Sequence, residues 1–168
     1  TTVAELVSHQ AGLYQFEPAI EPPDLYDWQA MTTRLASQKP AWDPGSAFGY
    51  HALTWGYLTG ELIRQIPGKS AGETIREFFP SAQFFIGLSK KEQSRCADVI
   101  GPNHARVHLS PNAKTRTGKL TTNDPLLTPY KHISSSAWRS AEIPSTNGHA
   151  SAAGLTTCYG ELLTSHLV

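Results

Sequence analysis

The sequence predicts a mainly α-helical protein with a few short strands, and three observations carry that expectation. Apolar residues recur at helical spacing in several stretches, Thr-x-x-Glu or Ser-x-x-Glu signals open a number of them, and proline or glycine closes them. No series of strands alternates with these helices to build a sheet of its own.

The elements follow in order. Thr2 with Glu5 forms a capping box ahead of Val3, Leu6 and Val7, and Gly12 stops the pattern, so a short helix is expected over residues 3–10. Pro18, Pro22 and Pro23 interrupt regular structure. From Asp24 onward Leu25, Trp28, Met31, Thr32 and Leu35 recur at helical spacing until Lys39-Pro40, which predicts an amphipathic second helix. Pro44-Gly45 marks a turn, after which Gly49-Tyr50-His51 stands at the head of a third helix. Trp55, Leu58, Leu62 and Ile66 define its face, and Pro67-Gly68 ends it. Ser70 with Glu73 caps a short helix through Glu77, Phe84 to Leu88 is a brief apolar run of strand type, and Ser89 with Glu92 caps another short helix. Residues 101–123 are polar and without period, which predicts a long surface loop. A helix with Pro125 at its first position is expected from Asp124 to Ile133, loop from Ser134 to Gly148, and a final helix from Ser151 to about His166. The four tryptophans, with Phe78, Phe79, Phe84 and Phe85, are assigned to core packing, since aromatic side chains supply much of a helical core.

Composition excludes several classes of function. The 168 residues suit one ordinary domain, and 39% apolar content supports a real core. Fourteen basic residues balance fourteen acidic ones, so no global field favours nucleic acid or an anionic surface. No apolar run approaches the roughly 18 residues that a bilayer requires, and the first residues lack the charged-then-apolar pattern of a secretion signal. The expectation is a soluble chain with no membrane span, its compartment left open. Cys96 and Cys158 lie far apart without a CxxC spacing, so they are expected to be reduced and structural, with no metal site.

Several catalytic signatures are absent or fail. Neither Gly-x-Ser-x-Gly nor Ser-x-x-Lys occurs; Gly87-Leu88-Ser89-Lys90 lacks the second glycine and Ser37-Gln38-Lys39 is one residue short. His104 and His108 are four apart, but no glutamate accompanies them as a zinc pair would need, and a solvated loop pair is expected. Arg106, Lys114, Arg116 and Lys119 cluster without an aromatic residue to stack a base, so they too read as loop, as does Lys114-Thr115-Arg116-Thr117-Gly118.

Three blocks nevertheless agree, in order, with one family. Thr2-Val3-Ala4-Glu5-Leu6-Val7-Ser8-His9-Gln10-Ala11-Gly12-Leu13, the stretch from Trp42 to Ser70 with its Pro-Gly turn, tyrosine and apolar helix, and Asn147-Gly148-His149-Ala150-Ser151-Ala152-Ala153-Gly154-Leu155 all resemble segments of the β-lactamase-related serine hydrolases. That group includes class C β-lactamases, family VIII esterases and DD-peptidases. The resemblance spans nearly the whole chain. It implies an internal fragment, residues 1–168 forming one partial domain: the helical portion of a β-lactamase/transpeptidase-like α+β fold, with a Ser-x-x-Lys segment expected upstream and most of the antiparallel sheet outside it. Thr1 in place of a methionine, and an apolar helix running close to Val168, fit that expectation.

The resemblance also implies chemistry. Tyr50 matches the tyrosine of the family's Tyr-x-Asn or Tyr-x-x motif and is the catalytic position that carries over; read without the family, it is a buried helix-start tyrosine. In the family mechanism a serine hydroxyl attacks a carbonyl, lysine and tyrosine move the proton, and water resolves an acyl-enzyme. A phenol, ordinarily titrating near 10, needs a neighbouring ammonium to act as a base. Ala52 replaces the usual asparagine, which shifts the expected substrate from a lactam toward a carboxylic ester. His51 either contacts substrate or caps the helix, and His149 either reaches the cleft or stabilises its Asn-Gly-His turn. The implied partner is a small-molecule ester or amide, with no cofactor and no nucleic acid. The isolated chain, lacking the nucleophile, is expected to be inactive. A non-catalytic binding or scaffold relative, and an unrelated helical interaction domain, are the competing expectations.

Overall fold

Thr2, Ser70 and Ser89 each accept the amide of a glutamate three residues on, while that glutamate's carboxylate accepts the amide of the capping residue. These reciprocal bonds satisfy amides that the first helical turn leaves unpaired. The computed structural model describes residues 1–66, 68–100 and 132–164. Among them the three boxes open α1 (Val3–Val7), α4 (Ala71–Phe78) and α5 (Lys90–Gln93). The other helices are α2 (Trp28–Ser37), α3 (Thr54–Gln65), α6 (Ser136–Ser140) and α7 (Ala152–Thr164), with a 3₁₀ turn at Pro22–Tyr26. Two strands, β1 (Phe84–Phe85) and β2 (His149–Ala150), pair antiparallel with Phe84 opposite Ala150 and Phe85 opposite His149. The described residues are thus mainly helical with two short strands.

Several boundaries differ from the sequence-based expectation, each for a local reason. The first helix stops at Val7 because His9 takes a left-handed φ of 62°. The second is split: the prolines form the 3₁₀ turn, and α2 starts only where the Asp27 carboxylate accepts the amide of Ala30 at 3.0 Å. The strand that begins at Phe84 ends after two residues, short of Gly87, whose φ is +70°. Within the stretch expected as loop, Ser135 accepts the amide of Trp138 at 3.2 Å and opens α6. Gly49, Tyr50 and His51 lie outside α3, which begins at Thr54. The expected loop over 101–123 and all but the last two residues of the expected 124–133 helix lie outside the described residues.

The core forms where α2 and α3 face each other. Met31 and Leu35 of α2 and Tyr57 of α3 are fully buried, with Phe16, Ile20, Leu25 and Leu53 from the connecting segments. Trp138 of α6 and Ile143 fold back to complete the same cluster. Trp28 packs against it, donating its indole N–H to Glu61 at 2.7 Å, and Arg64 lies over the Trp28 ring at 4.5 Å. The expectation of aromatic core packing holds for Trp28 and Trp138, whereas Phe78 is half exposed.

Two contacts fix the 143–147 segment on this core. The Gly56 amide donates to Ser145 Oγ at 2.7 Å, and a β-carbon on Gly56 would lie 2.5 Å from the Ser145 nitrogen, so glycine sets the spacing. Asn147 is buried, its Oδ1 accepting the Ile143 amide at 2.9 Å and its Nδ2 donating to the carbonyls of Trp138 at 2.9 Å and Ala141 at 2.7 Å. Cys96 and Cys158 are both free. No helix among the described residues is long and apolar enough to cross a membrane.

Candidate active site

Tyr50 sits on a segment with no regular structure of its own, held by the chain that follows α1. The left-handed turn at His9 points both its carbonyl and its ring at residues 49–51. The Gly49 amide donates to His9 O at 3.1 Å, and the His51 amide donates to His9 Nδ1 at 3.2 Å. His51 is completely buried. Its Nε2 accepts the Leu13 amide at 3.1 Å, and its Nδ1 lies 2.5 Å from Gly49 O. These bonds hold residues 49–51 in a segment without regular structure, which is why α3 starts later than its apolar pattern suggests.

Trp42 closes the frame from the other side. Its indole N–H donates to Gln10 O at 3.2 Å, its ring stacks on Tyr14 at 5.4 Å and meets His51 edge-on at 6.2 Å. A β-carbon on Gly49 would come within 2.5 Å of the Trp42 ring, so only glycine fits there. Trp55, in the first turn of α3, donates its indole N–H to Val7 O at 3.2 Å and ties the helix to α1.

On this frame the Tyr50 side chain is 60% exposed. It is therefore not a packed helix-start residue. Its ring meets the His9 imidazole at 5.2 Å, and its hydroxyl has no hydrogen-bond partner among the described residues. Tyr57, one turn into α3, shows the opposite behaviour. It is fully buried, donates to Leu25 O at 2.7 Å, and burial, reinforced by Tyr26, pushes its phenol well above the ordinary range. A phenol so held cannot serve as a base.

Electrostatics around Tyr50 favour neutral imidazoles. Burial lowers the proton affinity of His9. For His51 burial is again the larger cause; the Gly49 carbonyl pulls the other way, and the neighbouring His9 adds to the lowering. His149 lies elsewhere, on β2, where it lines a cavity of about 420 Å³ with Phe85, Leu88, Arg95, Cys96 and Ser151. Tyr50 and His51 do not line that cavity. Burial lowers the His149 proton affinity as well, with the Asn147 carbonyl pulling the other way and Arg139 adding to the lowering. The turn beside it is held by the Asn147 amide. His104, His108 and the basic cluster at 106–119 lie outside the described residues.

The structure adds three residues that sequence reasoning did not single out for this site: His9, Trp42 and Asn147. All three stand inside the quoted blocks, so their signal was present, but the His9–His51 hydrogen bond joins residues some forty positions apart and has no local pattern.

The mainly helical fold and its sequence both have relatives among known proteins. Residues 1–167 match the family model described as Beta-lactamase, and the chain belongs to that family. Esterase/beta-lactamase LipL of Mycobacterium tuberculosis (strain ATCC 25618 / H37Rv) is 29% identical over 172 residues, covering 96% of this chain and 40% of that protein. Among solved structures, a family VIII carboxylesterase matches with a TM-score of 0.78 at 32% identity, over 96% of this chain and 43% of the other. A novel penicillin-binding protein homolog from Caulobacter crescentus matches with a TM-score of 0.73 at 33% identity and the same coverage. EstA from Arthrobacter nitroguajacolicus Rue61a matches at 0.74 and 33%, over 94% and 43% of the two chains. The chain therefore spans about two fifths of the length of the relatives it matches.

Proposed function

We propose that the protein to which this chain contributes is a serine hydrolase acting on carboxylic esters through an acyl-enzyme, with Tyr50 as the proton-transfer group. The observation that carries this reading is the exposed, unbonded phenol of Tyr50 on a backbone pinned at both neighbouring residues. In this mechanism a serine from a Ser-x-x-Lys segment, a motif this sequence does not contain, attacks the ester carbonyl carbon. The lysine ammonium favours the phenolate of Tyr50, which accepts the serine proton and returns it to the departing alkoxide. Water then attacks the acyl-enzyme with the same oxygen as base, and the carboxylic acid leaves.

Ala52 supports an ester over a lactam, because a methyl group offers no hydrogen bond to a substrate amide. The carboxylesterase named among the similar structures leans the same way. His149, on its cavity wall, is the candidate substrate contact, and His51 acts on the substrate only through the backbone of Tyr50. The chain alone has no nucleophile in this scheme and is expected to be inactive.

Turnover of p-nitrophenyl esters tests both statements. In a protein carrying the serine and lysine, Tyr50→Phe is expected to lower kcat by roughly 100-fold or more, the usual worth of a positioned proton-transfer group. Unchanged turnover would remove Tyr50 from the mechanism. Steady turnover by the 168-residue chain itself, lost in Tyr50→Phe, would show a nucleophile within it. Absence of a Ser-x-x-Lys segment from the adjoining sequence would favour a non-catalytic relative instead.

A further inference from the structure

We propose that His9 and His51 are positioning residues for Tyr50, each holding as a neutral imidazole the main chain beside the phenol, so that protonation of either ring releases Tyr50. This rests on the reading of Tyr50 as the proton-transfer group.

The hydrogen-bond directions require it. His51 Nε2 receives an N–H from Leu13, so that nitrogen carries no proton, and the neutral ring's hydrogen is on Nδ1, donated to Gly49 O. His9 Nδ1 receives the N–H of His51, so the His9 hydrogen is on Nε2. Both acceptor nitrogens are the ones a proton would take. Protonating His51 sets two N–H donors against each other at Leu13, and protonating His9 does the same at the His51 amide. Gly49 and His51 flank Tyr50, and the His9 ring also touches the phenol ring, so the loss is felt on three sides.

Among the described residues no carboxylate compensates a charge on either ring, and only the Gly49 carbonyl favours the charged form of His51. Phe48, Tyr50, His51 and Trp55 surround His9, and His9 and Trp42 surround His51. The carboxylates nearby in the chain are Glu5 of α1, which accepts the Thr2 amide at 2.7 Å, and Asp43 ahead of Gly45. Among the described residues neither hydrogen-bonds an imidazole. Tyr14 stacks on Trp42, and α3 presents Trp55. The lowered proton affinities of both rings agree with this frame.

The experiment uses ¹⁵N-labelled chain and reads the ring nitrogens directly. At neutral pH His51 is expected to carry its proton on Nδ1 and His9 on Nε2. On acidification the Leu13 and His51 amides and the Tyr50 ring are expected to shift with the midpoint of the imidazoles. A proton on His51 Nε2, or imidazoles titrating while Leu13 and Tyr50 stay unmoved, would overturn the proposal. His9→Asn keeps a short acceptor and tolerates the left-handed backbone, so the His51 amide should stay pinned and the His9 step vanish. In a protein carrying the nucleophile, His9→Ala is expected to lower kcat by roughly 100-fold with KM unchanged, as a misplaced reacting group does. His9→Asn should restore most of that loss and remove its share of the acid limb. If His9→Ala fails to fold, the asparagine variant alone decides the point. A rise in KM at constant kcat would contradict positioning. A wild type without ester turnover defeats the esterase reading, while the resonances still decide whether the histidines hold Tyr50.

Discussion

A histidine buried with both ring nitrogens bonded is sensitive to pH in a definite direction. His9, His51 and His149 all have lowered proton affinity in the fold, whereas in the unfolded chain the same rings titrate near 6.5. Below that value the unfolded state binds more protons than the native one, so stability falls as pH drops and levels off only below the lowered native values. A second decline follows through the carboxylate range. Glu5 and Glu73 are held below their ordinary value of 4.5, chiefly by the backbone amides of Thr2 and Ser70, and their contribution disappears as they protonate. Urea midpoints measured from pH 8 to pH 4 should therefore fall first near 6.5 and again below 4.5. His51→Gln, which supplies an acceptor that does not titrate in this range, should flatten the first decline. None of this was legible from His51 in the sequence, where it stood equally for a ligand contact or a cap. What decides its role is Leu13, thirty-eight residues away.

At the scale of elements, the sequence read best where the signal is contained within four residues. The capping boxes at Thr2, Ser70 and Ser89 form as expected because both partners of each bond are local. Helix α6 leaves no such signal, because its core residue, Trp138, sits in only a single turn, too short to show a period. The start of α3 departs from its pattern for the opposite reason: the period is clear, but distant bonds from His9 hold residues 49–51 out of the helix. The glycines of the helices make the same distinction measurable. Gly56 in α3 abuts Ser145, and a methyl there would collide with its backbone nitrogen. Gly160 in α7 has nothing within 4 Å. Gly160→Ala should stabilise the chain by about 0.5–1 kcal/mol through helix propensity. Gly56→Ala should destabilise it by about 1–3 kcal/mol through forced displacement of the 143–147 segment. Denaturant unfolding of the two variants against wild type checks the difference in sign.

For the molecule as a whole, the family and the mainly helical architecture were legible because three ordered blocks survive in the chain, and the model of the family matches residues 1–167. The three-dimensional frame was not, since it is made of long-range contacts. One face also stands without a partner among the described residues. Leu155, Tyr159 and Leu163 of α7 recur every four residues and are 43%, 66% and 87% exposed. A contiguous apolar stripe of this kind promotes association. The isolated chain is expected to bind an apolar dye and to self-associate with rising concentration, and Tyr159→Lys with Leu163→Lys should reduce both in dye-binding and sedimentation measurements. Asn147 has a consequence of another kind. Asparagine followed by glycine is chemically short-lived in a flexible chain, because the next backbone nitrogen attacks the side-chain amide and ammonia departs. In the fold that amide is buried and tied to three backbone groups. Water then opens the cyclic imide to an aspartate or isoaspartate, and an aspartate there would set a carboxylate against two carbonyl oxygens, so the converted chain refolds to a less stable state. The chain thus keeps a record of its own history: each period spent unfolded adds molecules one mass unit heavier and one charge more negative, which age out of the native population.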